Sequence, residues 1–272
     1  MNGHEYDLAT AVRPTGDHTY AADLHDGWDI GGVPNGGYLL TVAGRALAQS
    51  VERPDPLTVT CHYLAPARSG PIELTTELVR AGRRHATAMA TVRQDGNEVA
   101  RVIGTFGDLQ QQRDGRHLAT LKPPEIPPPD ECVHVTPIPD HPQSPPPITE
   151  KVSLRIAPED LGFALGTPHG RAEIKGWAEF ADGRDADTSA LPLFADAFPP
   201  TVFNAGFPIG WMPTIELTVH VRKRPARGLL LCEFRTNLVS NGYMEVDGVI
   251  FDATGEVAAM SRQLAATPRG QT

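Results

Sequence analysis

Three short motifs occur twice in this chain, in the same order and about 159 residues apart. They are Pro-Ala-Arg at 66–68 and 225–227, Leu-Val-x-x-Gly at 78–82 and 238–242, and Gly-Asn-Glu-Val-Ala at 96–100, which recurs without the Asn as Gly-Glu-Val-Ala at 255–258. Each match is short, but the shared order and nearly constant spacing indicate an internal duplication. The 272 residues are enough for two domains of about 110–130 residues each. We therefore expect two copies of one fold in tandem.

A proline-rich segment separates the two copies. Eleven prolines lie between residues 110 and 149. Proline has no backbone N–H and fits neither a helix interior nor a central strand, so this segment predicts an extended connector. Within it, Val133-His134-Val135 is apolar enough to pair briefly along a sheet edge. We predict an N-terminal domain at 1–112, a connector at 113–150 and a C-terminal domain at 151–272.

The first copy has the pattern of a strand pair, one long helix and four further strands. Asn35-Gly36-Gly37 precedes an apolar-periodic segment and predicts the start of the helix. The four strands are predicted near 57–64, 72–81, 85–94 and 98–107, with Asp95-Gly96 as a hairpin turn between the last two. The economical packing of this order is an antiparallel sheet wrapped around the helix, which is the hotdog fold.

The second copy repeats the order with a weaker helix. Strands are predicted near 152–156, 170–180, 214–222, 229–239, 243–252 and 257–266. The helix near 191–204 contains Pro199-Pro200, which must end or restart it. A single copy leaves one sheet edge open, and two copies in one chain can pair these edges. The predicted fold class is α+β, with two tandem hotdog domains that form a double hotdog.

Composition and missing motifs exclude several classes of function. The net charge of −9 argues against nucleic acid or an anionic membrane as the main partner. No signal-peptide pattern or membrane-spanning apolar run is visible. Three cysteines without a CxxC pair favour reduced thiols in the cytoplasm and no metal site. The motifs of serine hydrolases, dinucleotide-binding enzymes and zinc proteases are also missing.

Four stretches of the chain match one enzyme family. They are the glycine-rich segment 31–37, Phe-Ala-Asp-Ala-Phe at 194–198, Pro-Thr-Ile-Glu at 213–216, and the segment 255–263, where Gln follows Gly by eight residues. Across 31–109 and 191–264 the chain resembles the acyl-CoA thioesterase II family, whose members are double hotdogs that hydrolyse acyl-CoA thioesters. The resemblance implies an acyl-CoA substrate, no separate cofactor and a homo-oligomer. Glu216 departs from the family pattern, which has Asp at that place.

The resemblance also implies a catalytic trio of Asp196, Thr214 and Gln263. In the family, an Asp, a Thr and a Gln together hold the attacking water, so no covalent intermediate is expected. A carboxylate can take the proton of the water, while a hydroxyl and an amide orient it. An alternative alignment, counted from Val257-Ala258, puts Arg262 in the place of Gln263.

The start of the first helix is the expected site for the oxyanion of the reaction. Asn35, Gly36 and Gly37 are the candidates, because free N–H groups and the helix dipole favour negative charge at a helix start. Glycine also permits close approach of the thioester.

Two other functions remain open from the sequence. A hotdog enoyl-CoA hydratase or dehydratase would need an Asp–His pair near the active helix, and no His follows Asp196 within several residues. The second is a non-catalytic acyl-CoA binding protein. His62 and His220 occupy equivalent repeat positions, which suggests catalysis or a metal, although a structural role on a strand face is the more common one.

Overall fold

The computed structural model describes residues 3–111, 118–139 and 144–267. The predicted connector at 113–150 therefore lies partly outside the described residues. The helices are α1 (Glu5–Ala9), α2 (Gly36–Val51) and α3 (Leu191–Phe194), with 3₁₀ helices at Pro147–Glu150, Pro158–Leu165 and Thr201–Ala205. The strands are β1 (Arg13–Gly16), β2 (Thr19–Leu24), β3 (Asp29–Ile30), β4 (Val33–Pro34), β5 (Asp55–Tyr63), β6 (Gly70–Ala81), β7 (Ala86–Gln94), β8 (Asn97–Gly107), β9 (Val133–Val135), β10 (Val152–Ile156), β11 (Glu173–Phe180), β12 (Thr214–Val221), β13 (Leu230–Arg235), β14 (Val239–Ser240), β15 (Tyr243–Phe251) and β16 (Val257–Ala266).

One antiparallel sheet of 14 strands runs through the described residues. Its order is β1-β2-β6-β7-β8-β5-β12-β16-β15-β13-β11-β10-β9, and β14 pairs with β15. The first six strands in this order come from the first half of the chain, the last strand (β9) comes from the connector, and the others come from the second half. Strands β3 and β4 form a separate two-stranded sheet just before α2.

The duplication is visible in the positions of the strands. β5 begins at Asp55 and β12 begins 159 residues later, at Thr214. β8 ends at Gly107 and β16 also ends 159 residues later, at Ala266. The spacing of the sequence motifs is therefore the spacing of the structural repeat.

Helix α2 is the core of the first half. Asn35 caps it, since its side-chain Oδ1 accepts a hydrogen bond from the Tyr38 N–H at 2.9 Å. Leu40, Val42 and Leu47 are fully buried between the helix and the sheet, and each such side chain contributes about 1.5–3 kcal/mol by leaving water. The sheet wraps this helix as expected, and the predicted double hotdog is confirmed.

The second helix is much shorter than predicted. The segment near 191–204 was expected to form a helix interrupted by Pro199-Pro200, and helix α3 covers only Leu191–Phe194. The chain turns helical again as a 3₁₀ helix at Thr201–Ala205, directly after the prolines. Because proline cannot donate to the preceding turn, the helix is not continued across this pair. Asp196 consequently follows the helix rather than lying within it.

The two halves are joined through β5 and β12. These strands pair antiparallel, with Val59 opposite Val219, and the hydroxyl oxygens of Thr60 and Thr218 lie 2.8 Å apart. The buried carboxylate of Asp55 adds a second link, because it accepts hydrogen bonds from Thr188 and Arg224 of the other half. The halves therefore form one continuous structure.

The connector contributes the outermost strand. Val133–Val135 forms β9, which pairs with β10 at the edge of the sheet, as the sequence predicts. In the part of the chain that the structure describes, no helix is long and apolar enough to cross a membrane.

Candidate active site

The site lies where α2 of the first half meets the loop after α3. The Asp196 N–H donates to the Leu193 carbonyl at 3.1 Å, which fixes the residue two positions beyond the end of α3. From the first half, the Gly37 N–H and the Asn35 side-chain amide donate to Asp196 Oδ2 at 2.9 and 3.0 Å. From the second half, the Gln263 amide donates to Oδ1 at 2.6 Å. Both halves of the chain thus hold one carboxylate.

The predicted trio comes together around Gln263. Its Nε2 also donates to the Thr214 hydroxyl at 2.7 Å, so the amide links Thr214 to Asp196. Gln263 lies on β16 opposite Leu217 of β12, and Leu217 is fully buried. The Gln263 side chain therefore points to the inner face of the sheet.

Arg262, the alternative to Gln263, points to the outer face. Its guanidinium forms two hydrogen bonds with the Asp247 carboxylate, at 2.7 and 2.8 Å. Successive side chains of a strand point to opposite faces, so only one of these two neighbours can reach Asp196.

Asn35 connects the start of α2 to the Asp196 backbone as well as to its side chain. While its Oδ1 caps the helix, its Nδ2 donates to the Asp196 carbonyl at 2.8 Å. The three predicted oxyanion residues therefore surround Asp196. In this structure, Asn35 and Gly37 donate to the carboxylate itself.

Both glycines at the helix start are required by space. A Cβ on Gly37 would lie 2.4 Å from the Pro192 carbonyl oxygen, and one on Gly36 would lie 2.9 Å from Asp196 Oδ2. Non-bonded atoms do not approach so closely. A side chain at Gly37 would push α2 away from the backbone of the segment that carries Asp196, and one at Gly36 would displace the side chains of Asp196 and Tyr63.

The surroundings of Asp196 raise its pKa to about 6. Burial is the main cause, because the charged form loses contact with water. The hydrogen bonds from Gly37, Gln263, Gly36 and Asn35 oppose this and keep the rise moderate. A carboxylate with a pKa near 6 is ionised at neutral pH and is a stronger base than an ordinary Asp.

Sequence reasoning missed Tyr63, whose ring adjoins the site. Its hydroxyl oxygen is buried and has no hydrogen-bond partner among the described residues, a situation that costs about 1–3 kcal/mol for a buried donor. The sequence directed attention to the neighbouring His62 instead. His62 and His220 are both exposed on the outer face, where His62 pairs with Glu216. Successive side chains of a strand point to opposite faces, so a His62 on the outer face would have placed Tyr63 on the inner face of the sheet.

Within the described residues, no group of three or more His, Cys, Asp or Glu side chains is arranged to hold a metal ion. Cys61, Cys132 and Cys232 are free thiols. The polar atoms that face Asp196 are amides, hydroxyls and backbone N–H groups.

Two domain families match the two halves of the chain. The family described as acyl-CoA thioesterase N-terminal domain matches residues 24–107, and the acyl-CoA thioesterase C-terminal domain matches residues 129–267. The chain belongs to the acyl-CoA thioesterase family. It is a thioester hydrolase of the double hotdog type.

Solved structures agree with this membership. A Thermobifida fusca protein assigned as a thioesterase II is 30% identical, with a TM-score of 0.88 and 98% of both chains covered. A hot dog fold protein of unknown function from Alicyclobacillus acidocaldarius is 22% identical, with a TM-score of 0.85 over 99% of this chain and 100% of the other. Acyl-CoA thioesterase II TesB2 from Mycobacterium marinum is 15% identical, with a TM-score of 0.72 over 98% and 99% of the two chains. The last two show the fold alone.

The close contact at Gly37 gives a test of this acyl-CoA thioesterase site. Gly37→Ala should lower the free energy of unfolding by about 1–3 kcal/mol through overpacking and should reduce acyl-CoA hydrolysis at least 10-fold, because the Gly37 N–H must move away from Asp196. Urea denaturation and the release of free CoA thiol measure the two effects.

Gly44 provides the matched control in the same helix. Apart from its chain neighbours and the backbone of its own helix, no described heavy atom lies within 4 Å of the position that its Cβ would occupy. Gly44→Ala should stabilise the helix by about 0.5–1 kcal/mol and leave hydrolysis unchanged. Equal effects of the two substitutions would contradict the packing argument.

Proposed function

We propose that this thioesterase hydrolyses acyl-CoA by direct attack of a water molecule that Asp196 activates. The water oxygen forms a bond to the thioester carbonyl carbon, while Asp196 takes one proton from the water. The tetrahedral intermediate then collapses, the C–S bond breaks, and the proton passes to the departing CoA thiolate. The products are a free acid and CoA.

The observation that carries the proposal is the hydrogen-bonded chain from Asp196 through Gln263 to Thr214. The Gln263 amide donates to both partners, so the Thr214 hydroxyl proton is left to bind a water or the substrate. A carboxylate, an amide and a hydroxyl held in fixed positions can orient one water toward a carbonyl. The carboxylate pKa of about 6 is suited to proton transfer at neutral pH.

We propose that the start of α2 receives the negative charge of the oxyanion. In the resting site, Asn35 and Gly37 donate to the Asp196 carboxylate. When Asp196 takes a proton, its charge is neutralised and the negative charge develops on the thioester oxygen. Asn35, Gly36 and Gly37 then lie beside the new charge, at a helix end that favours anions.

The partners of Asp196 favour hydrolysis over hydration of an enoyl-CoA. A hydratase of this fold would use an Asp–His pair, whereas the side chains bonded to Asp196 are the amides of Asn35 and Gln263. Release of free CoA thiol distinguishes hydrolysis from hydration and from simple binding of acyl-CoA.

The remaining features of the proposal rest on the resemblance and the sequence pattern. We propose a homo-oligomer that works in the cytoplasm without a separate cofactor, and a division of the chain at 1–112, 113–150 and 151–272. The free thiols of its three cysteines suit a reducing compartment. Light scattering of the purified chain measures the number of subunits.

The role of Asp196 predicts a defined pH dependence. The pKa of about 6 means that the base is protonated below this pH, so kcat/KM should fall as the pH decreases through about 6.

Asp196→Asn should lower kcat by at least about 100-fold at pH 8, because the general base is lost. The outer-face substitution Asp247→Asn is the control and should keep wild-type activity. Full activity of Asp196→Asn would remove the assignment.

Two adjacent residues of β16 test the trio. Gln263→Ala removes the amide that links Asp196 to Thr214 and should lower kcat by about 10–100-fold through lost orientation of the water. Arg262→Ala changes only the outer face, where Arg262 pairs with Asp247, and should leave kcat unchanged. A larger loss of kcat with Arg262→Ala than with Gln263→Ala would show that Arg262, and not Gln263, is the residue of β16 that acts at the site.

A further inference from the structure

The phenolic hydroxyl of Tyr63 is a buried donor beside the proposed base. Tyr63 is the last residue of β5, its side chain is half-buried, and its Oη has no hydrogen-bond partner among the described residues. Buried polar groups in native proteins are almost always paired, and a catalytic role is one of the reasons for an exception. This hydroxyl therefore requires an explanation.

Gly36 lies between this hydroxyl and Asp196. The position that a Cβ would take on Gly36 is 2.9 Å from Tyr63 Oη and also 2.9 Å from Asp196 Oδ2. The two oxygens consequently border the same small space over the helix start. A glycine leaves that space open, so no side chain keeps the hydroxyl and the carboxylate apart.

The other ionisable groups near Tyr63 are poorer partners. The Cys61 thiol lies beside the Tyr63 hydroxyl and acts on it more strongly than Asp196 does, but burial raises the pKa of this thiol and leaves it a neutral and weak hydrogen-bonding group. Glu216 acts on Tyr63 less strongly than Asp196 does, and its carboxylate accepts a hydrogen bond from the Thr218 hydroxyl. Asp196 is thus the charged acceptor on the same side of the sheet.

The groups that donate hydrogen bonds to Asp196 in the resting site are engaged elsewhere during the proposed reaction. Oδ2 accepts from the Gly37 N–H and the Asn35 amide, and Oδ1 accepts from the Gln263 amide. The Gln263 amide is shared with Thr214, and in the proposed mechanism the Gly37 and Asn35 donors turn toward the substrate oxygen. The carboxylate then needs another donor to be restored as a base.

We propose that Tyr63 is a positioning residue, whose O–H closes over Gly36 to donate to Asp196 during turnover. This inference rests on the proposed role of Asp196 as the base. The phenol stays neutral, since burial raises the pKa of Tyr63, so it acts only as a donor. Its hydrogen bond holds the Asp196 side chain in place while α2 binds the oxyanion, and it favours the return of Asp196 to the carboxylate form once the proton has passed to the CoA thiolate.

Tyr63→Phe tests this role, because it removes the O–H and keeps the ring. Loss of a donor raises the pKa of a carboxylate, so the acidic limb of the kcat profile, which reports the substrate complex, should move to higher pH by roughly 0.5–1 unit. At pH 8, kcat should fall about 3–10-fold with little change in KM. The thermal unfolding temperature should stay the same or rise, because the removed donor is unpaired in the resting fold.

Tyr20→Phe is the matched control. Tyr20 is another buried tyrosine of the first half, on β2 and away from Asp196, and its loss of the hydroxyl should leave the pH profile in place. A Tyr63→Phe profile that overlays the wild-type profile would overturn the proposal. If the Tyr63→Phe profile overlays the wild-type profile while Asp196→Asn is inactive, only the role of Tyr63 is rejected. If Asp196→Asn is active, the base itself is rejected.

Discussion

The structure depends on one carboxylate that neither half of the chain could hold alone. Asp196 comes from the second half, and its Oδ2 is bound by Asn35 and Gly37 of the first. A buried charge is costly unless it is hydrogen-bonded, so the start of α2 and the loop after α3 must stay in contact. Pairing of β5 with β12 provides the rigid frame for that contact.

Duplication followed by specialisation explains why the two halves differ at the site. Gly37 and Asp196 are 159 residues apart, which is the spacing of the repeat, and they are hydrogen-bonded to each other. One copy therefore has a glycine where the other has the carboxylate. The first copy keeps an intact capped helix whose N–H groups favour negative charge, while the second has only the short helix α3, which ends at Phe194, and supplies the charge.

Much of this arrangement could be predicted from local sequence patterns. Alternating apolar residues, the Asp95-Gly96 turn and the Asn35 cap are short-range signals, and the strands they predict are found within a few residues. The choice between Gln263 and Arg262 depended on the register of β16 against β12, which is set by distant residues. Strand alternation could place Tyr63 on the inner face of the sheet, but only the coordinates show that its oxygen is buried without a partner.

The most direct test of the account is a single turnover in ¹⁸O-labelled water, with the thioesterase in excess over an acyl-CoA. Direct attack of the water held by Asp196, Thr214 and Gln263 predicts one ¹⁸O atom in the released acid and none in the protein. Mass spectrometry of the acid and of the peptide that contains Asp196 measures both. Label in the Asp196 carboxylate, or an acid without label, would show that Asp196 attacks the thioester itself and would contradict the account.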